Sequence, residues 1–228
     1  MEWLETGQGI RISKQANIVG LDRIVLEGHS VISAGCQVEA NVYMVDGDER
    51  RTKAAVSLGR YCVLEKNVRV KPPVVGYKKR TPGSQSSQST QSTQSTQATQ
   101  SSQGKMPIHC DMSVRSHVWI GQGCKVYCRT IGSSVIVGAG TQLNRCSEIG
   151  SVVLIDSGLI IPERFKIPSY SRVSRHPSMP NSIIIEPISP TFGPMIEQWC
   201  KKRYLGAPVD LLGDPQLPMM REDTDMAL

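Results

Sequence analysis

Aliphatic residues recur at every sixth position through the second half of the chain, and this period constrains the fold more than any other feature. A small or branched residue stands two positions before several of them, as Val135 does before Val137 and Thr141 before Leu143. Such alternation is typical of a short strand with two inward side chains and one outward. The series comprises Ile131, Val137, Leu143, Ile149, Ile155, Ile161, Ile167 and Val173.

The same register occurs three more times upstream, so the repeat extends over most of the chain. A helix has a period near 3.6 and a sandwich has longer alternating strands, so neither explains it. The spacing shortens between Val126 and Ile131, and a charged stretch at 46–53 interrupts the series, so we expect loops to leave the coil at both places. The upstream members are Leu26, Ile32, Val38, Leu58, Leu64, Val70, Val114, Ile120 and Val126.

Composition agrees with a slender all-β coil. The chain of 228 residues has only two Phe and three Trp, so branched aliphatic residues must fill the interior. Its net charge of +6 comes from clusters without interleaved aromatic residues, which argues against nucleic-acid binding. No uninterrupted apolar segment approaches bilayer length, which argues against membrane insertion. The seven Cys show no paired ligand spacing, which favours reduced thiols in the cytosol.

The sequence predicts three regions. Residues 1–182 form the β-helix, interrupted at about 76–105 by a disordered loop, because residues 84–103 contain only Ser, Gln and Thr apart from Ala98. Residues 183–206 form a C-terminal capping segment with a short helix from Met195 to about Leu205. Residues 207–228 form a mobile tail.

The six-residue pattern resembles that of the hexapeptide-transferase superfamily, and this resemblance implies a single-stranded, left-handed parallel β-helix with three repeats in each turn. Acyltransferases of the superfamily use a His as general base, and its γ-class carbonic anhydrases bind a metal through three His. Where the carbonic anhydrases are expected to have His, this chain has Lys71, Gln122 and Tyr127, which are poor zinc ligands. The chain contains four His, at His29, His109, His117 and His176.

These residues predict a chain without a catalytic site, a metal or a cofactor. His29 and His117 fall at turn positions, where we expect them to point into solvent. Cys124 occupies a small inward position and is expected to be a core residue, whereas Cys128, beside the shortened repeat, is less clearly placed. We expect no paired-carboxylate site, because Asp46 and Asp48 lie among basic neighbours that favour surface ion pairs.

Local matches in the same order resemble the family of dynactin subunit five. They include the segments 56–64, 68–73, 117–120 and 161–163. The resemblance implies a non-catalytic, protein-binding subunit of the dynactin pointed-end complex. Its partners would be a second β-helical subunit and an actin-related protein, with dynein and cargo adaptors contacted indirectly. The implied location is the cytoplasm and the microtubule-associated cytoskeleton.

Outward residues on such a coil are the candidates for protein binding. Trp199 has a second interpretation, in which it packs the C-terminal helix onto the coil. Two alternatives remain: a hexapeptide-fold enzyme, either an acyltransferase or similar to γ-carbonic anhydrase, and a relative of the second β-helical dynactin subunit. The candidate protein-binding residues are Arg60, Arg69, Lys71, His117, Trp119 and Trp199.

Overall fold

The computed structural model describes residues 3–45, 54–79, 105–179 and 182–206. Over these residues the chain consists mainly of short strands, with a 3-10 turn at Leu21–Arg23 and one α-helix, α1, at Phe192–Tyr204. The strands stack into three sheets, which we call the first, second and third faces of the coil, and a separate hairpin. This arrangement confirms a hexapeptide-repeat β-helix with a C-terminal helix.

The first face contains nine strands, and they carry most of the features discussed below. In spatial order they are β1 (Trp3–Glu5), β2 (Arg11–Ser13), β5 (Val31–Ile32), β8 (Val63–Leu64), β13 (Val118–Ile120), β16 (Val135–Val137), β19 (Val153–Ile155), β22 (Ser171–Arg175) and β23 (Ile183–Pro187).

The second and third faces contain six strands each. The second comprises β4 (Ile24–Leu26), β7 (Val56–Leu58), β12 (Met112–Val114), β15 (Thr130–Ile131), β18 (Glu148–Ile149) and β21 (Lys166–Ile167). The third comprises β3 (Asn17–Val19), β6 (Gln37–Glu39), β9 (Arg69–Val70), β14 (Lys125–Val126), β17 (Gln142–Leu143) and β20 (Ile160–Ile161). The hairpin pairs β10 (Val74–Lys79) with β11 (Lys105–His109).

Strand pairing shows how the six-residue period becomes a coil. Val135 pairs in parallel with Val153, three repeats later, so one turn places one strand on each face. Val118 pairs with Val135, and the turn between them is one residue shorter than the turn from Val135 to Val153, because the repeat between Val126 and Ile131 is short. No loop leaves the coil there, contrary to our expectation, since a tight corner containing the buried Cys128 absorbs the missing residue.

The interior consists of the predicted aliphatic series. Every member from Ile131 to Val173 has at most 3% of its surface exposed. Small inward residues fill the remaining space, and Cys124 donates a hydrogen bond from Sγ to the Gly138 carbonyl at 3.1 Å. Burial raises the pKa of the Cys124 thiol to about 11 and that of Cys128 to about 12. Both thiols therefore stay protonated at neutral pH and behave as core residues.

The C-terminal elements differ in position from the predicted cap. β23 adds an antiparallel strand to β22 and so covers the last edge of the first face. The helix begins at Phe192, three residues before the predicted start. It lies against the outer side of the first face and not across the open end of the coil, because its apolar side chains pack on outward residues of that face.

Two described strands overlap the ends of the predicted loop at 76–105. β10 continues to Lys79 and β11 begins at Lys105, so antiparallel pairing extends into the stretch that we expected to be irregular. The Ser/Gln/Thr-rich residues, the charged stretch 46–53 and the tail 207–228 lie outside the described residues. In the part of the chain that the structure covers, no helix has the length and apolar character needed to cross a membrane.

The alternation in β20 gives a direct test of the interior. Ile161 is fully buried, whereas its neighbour Ile160 is 64% exposed. We expect Ile161→Ala to lower the free energy of unfolding by about 2–5 kcal/mol, and Ile160→Ala to change it by less than about 0.5 kcal/mol. Urea denaturation of the two variants measures both values. Equal losses would contradict the assignment of inward and outward residues.

Candidate functional site

The outer side of the first face carries an apolar stripe, which we define as Val63, Trp119, Ile136 and Leu154. These residues come from β8, β13, β16 and β19, and each is the outward residue of its strand. Helix α1 covers the stripe with Ile196, Trp199 and Cys200, all of them buried, and the two sets form one cluster. The coil therefore has a second apolar core outside its interior.

A column of left-handed residues runs up the corner before the first face. His29, Tyr61 and His117 have φ angles of 49°, 56° and 59°, and Ser134 and Val152 continue the column. The His29 and Tyr61 rings stack with centroids 5.1 Å apart, and the Tyr61 and His117 rings stack at 5.4 Å. We call His29, Tyr61 and His117 the ring ladder. One-coil spacing holds the rings at stacking distance.

Helix α1 also covers part of the ring ladder. The Tyr204 ring meets His29 and Tyr61 edge-on, with centroids 5.5 and 5.8 Å away. The Lys201 ammonium lies 5.8 Å from the centre of the Tyr61 ring. The last turn of the helix thus places the Tyr204 phenol beside the His29 and Tyr61 rings, and the Lys201 ammonium beside Tyr61.

His117 is the most unusual member of the ladder. Its Nε2 atom is inaccessible to solvent and has no hydrogen-bond partner among the described residues. Burial lowers the pKa of this imidazole, Glu197 raises it and Lys201 lowers it. His117 is consequently neutral at pH 7 and retains a lone pair for a proton. Our expectation that it points into solvent is wrong, because α1 covers it.

The structure brings together some of the candidate protein-binding residues. Arg60 lies at the ladder corner, where its carbonyl accepts a hydrogen bond from the His117 backbone N–H at 2.8 Å. Trp119 and Trp199 are 5% and 9% exposed. Both belong to the apolar cluster between the first face and α1. This burial matches the packing interpretation of Trp199.

Arg69 and Lys71 are remote from this cluster, because they belong to the third face of the coil. Arg69 is exposed on β9. Lys71 forms an ion pair with Glu39, with Nζ and Oε2 2.6 Å apart. A protein-binding role for these residues, for Arg60, His117 and the two Trp, stays a prediction.

The remaining titratable residues offer little chemistry. His109 is buried, and its Nδ1 lies 2.7 Å from the Pro72 carbonyl, so it fastens the base of the hairpin to the coil. Desolvation lowers its pKa. Within the described ranges, no group of three His, Cys, Asp or Glu residues is arranged to hold a metal ion.

Comparison with known proteins addresses the fold. No family model matches the sequence. A hexapeptide transferase family protein from Anaplasma phagocytophilum is similar over 88% of this chain and 92% of its own, with 12% identity and a TM-score of 0.50. A mutant perosamine N-acetyltransferase from Caulobacter crescentus, in complex with CoA and GDP-perosamine, is similar over 78% of this chain and 56% of its own, with 10% identity and a TM-score of 0.47.

A third similar structure is the acetyltransferase domain of PglB from Neisseria gonorrhoeae in complex with acetyl coenzyme A. It covers 78% of this chain and 57% of its own, with 15% identity and a TM-score of 0.45. At 12% identity, the similarity to the Anaplasma phagocytophilum protein establishes the hexapeptide-repeat fold alone.

These findings correct the interpretation based on the dynactin family. The hexapeptide transferase family protein that shares this fold is a bacterial protein and not a dynactin subunit. The predictions of a dynactin subunit, of a non-catalytic role, of partners in the dynein machinery and of a cytoskeletal location are therefore wrong.

The state of His117 can be checked by NMR titration of the imidazole C–H resonances. We expect its midpoint below 6.5, the ordinary value, because burial disfavours the charged ring. An unfolded chain would bind this proton more readily, so the contribution of His117 to stability is present above pH 6.5 and is lost as the pH falls toward the lowered pKa. A midpoint at or above 6.5 would contradict the burial of Nε2.

Proposed function

We propose that this chain is an acyltransferase built on a left-handed hexapeptide-repeat β-helix, with His117 as its general base. The observation that carries the proposal is the buried Nε2 of His117, which has no hydrogen-bond partner among the described residues. Burial also lowers the pKa of this imidazole, which favours its neutral form. The choice of a transferase activity rests on the fold that this chain shares with the hexapeptide transferase family protein. A fold alone leaves the activity open, so the proposal depends on this residue.

Acyl transfer needs a base because an acceptor hydroxyl or protonated amine attacks poorly. A neutral imidazole takes the proton from the acceptor as its oxygen or nitrogen bonds to the acyl carbon. The acyl–sulfur bond of a thioester donor then breaks, and the departing thiolate takes up a proton. His117 meets the first requirement because its lowered pKa keeps it unprotonated at neutral pH.

The helix sets a condition on this chemistry. Nε2 is inaccessible to solvent, and two charged residues of α1 act on the pKa of its ring. For proton transfer through Nε2, we therefore expect the last turns of α1 to move away from the ring ladder. Glu197 and Lys201, which act on the pKa of His117 with opposite sign, belong to the same helix. Movement of α1 would therefore change both the access to the base and its charge environment.

The left-handed winding is part of the proposal and has its own support. The six-residue repeat pattern resembles that of a superfamily whose coils wind to the left. A crystal structure that traces the chain from β16 through β17 and β18 to β19 decides the hand. A right-handed path between these strands would remove this part of the proposal.

A transfer assay with acetyl coenzyme A and a panel of amine and hydroxyl acceptors tests the activity through release of the free thiol. We expect His117→Ala to lower the rate by about 100-fold or more, since a positioned general base contributes about 10²–10⁴. His29→Ala is the matched control, because it removes an exposed imidazole from the same ladder, and it should keep most of the activity.

Two results would contradict the proposal. One is an unchanged rate in His117→Ala, which would show that another group or water removes the proton. The other is a wild-type protein that neither binds acetyl coenzyme A by calorimetry nor releases its thiol. Circular dichroism and thermal melting of each variant show whether a loss of rate comes from unfolding.

A further inference from the structure

A cavity of about 570 Å³ lies where helix α1 ends on the first face. Its floor comes from β5 and β8, and one wall comes from β1 and β2. The other wall consists of Arg203 and Tyr204 at the end of α1, together with Gly206 beyond the helix. This volume falls within the usual range for sites that bind small molecules. The cavity is separate from His117, which does not line it.

The floor of the cavity is apolar because the outer stripe of the first face extends beyond the helix. Val31 and Val63 are neighbours on paired strands and both line the cavity. Trp3 forms part of the wall and is 39% exposed. Val63 is only 1% exposed, so an apolar ligand placed here would mainly cover the half-buried Val31 and the Trp3 indole. Removing that surface from water contributes about 25 cal/mol for each Å² of apolar area.

The rim of the cavity is held in place by polar contacts. Arg203 donates hydrogen bonds to both carboxylate oxygens of Glu65, at 2.7 and 3.2 Å. Arg11 donates a hydrogen bond to the Tyr204 carbonyl at 2.7 Å, and its guanidinium lies 4.6 Å from the centre of the Tyr204 ring. Such bonds fix the wall before any ligand arrives, which reduces the ordering cost of binding.

The charges around the cavity favour an anion. Its lining contains three cationic residues and two anionic ones, so one positive charge is in excess. Arg203 forms an ion pair with Glu65, and Arg11 forms one with Glu5 at 3.4 Å. Lys66 is exposed at the rim and forms no ion pair with a described residue.

We propose that this cavity binds a small apolar or aromatic molecule that carries a single carboxylate. The apolar body rests on Val31 and Val63 beside Trp3, and the carboxylate meets the Lys66 ammonium. The site differs from the proposed base, so it does not depend on acyl transfer. Binding needs no bond to form or break.

Binding of 2-naphthoate and of neutral 2-naphthamide to the full chain tests this proposal. The two probes share an aromatic body and differ in charge, and calorimetry measures their affinities. We expect naphthoate to bind at least about 5-fold more tightly, as befits a partly exposed ion pair worth about 1 kcal/mol. Lys66→Gln should reduce this preference to near unity.

Matched variants separate the parts of the site. Val31→Thr keeps the side-chain shape and should weaken both probes to a similar degree, because it places a hydroxyl on the floor. Lys125→Gln removes an exposed lysine from the third face and should leave both affinities unchanged. His117→Ala should also leave them unchanged, so failure of the proposed catalysis does not affect this result.

Three outcomes would overturn the proposal. They are the absence of saturable naphthoate binding to the full chain, equal affinity for the charged and neutral probes, and a full preference for naphthoate in Lys66→Gln. Thermal melting of each variant tests whether the fold is retained. A variant that melts like the wild type and binds more weakly has lost a contact in the cavity.

Discussion

The stacking of one coil on the next is the constraint from which the rest of this structure follows. Each strand is only two or three residues long over most of the coil, so no strand is stable alone. Hydrogen bonds between coils and columns of aliphatic side chains hold the strands in register. A residue at one repeat position therefore lies above its equivalent in the preceding coil. The same register determines the positions of outward side chains and of inward ones.

The ring ladder and the outer stripe are both consequences of that register. His29, Tyr61 and His117 occupy the same corner position in successive coils, so their rings stack. Val63, Trp119, Ile136 and Leu154 occupy the same outward position and form an apolar surface that α1 covers. The helix in turn buries an imidazole nitrogen and shapes the cavity at its end. The candidate chemistry of the chain thus lies where the helix meets a corner of the coil.

The sequence predicts the interior well because every sixth residue obeys one simple rule. It also predicts Cys124 as a core residue, since the thiol occupies a small inward position. It does not predict where α1 lies, because the period shows which residues point outward but not which of them another element covers. Trp119 and His117 consequently resemble surface residues in the sequence and are covered in the structure. Their shared repeat positions with Val63 and Tyr61 were the available signal.

The function of the chain is less accessible from sequence, because residues that maintain a coil also dominate local matches between coil proteins. Amide hydrogen exchange tests the underlying account most directly, since it measures the stability of each strand pair. We predict that amides of β16 and β19 exchange last and together, through global unfolding, while those of the β10–β11 hairpin exchange earlier. Hairpin amides protected as strongly as the coil, or coil strands that open independently of one another, would contradict it.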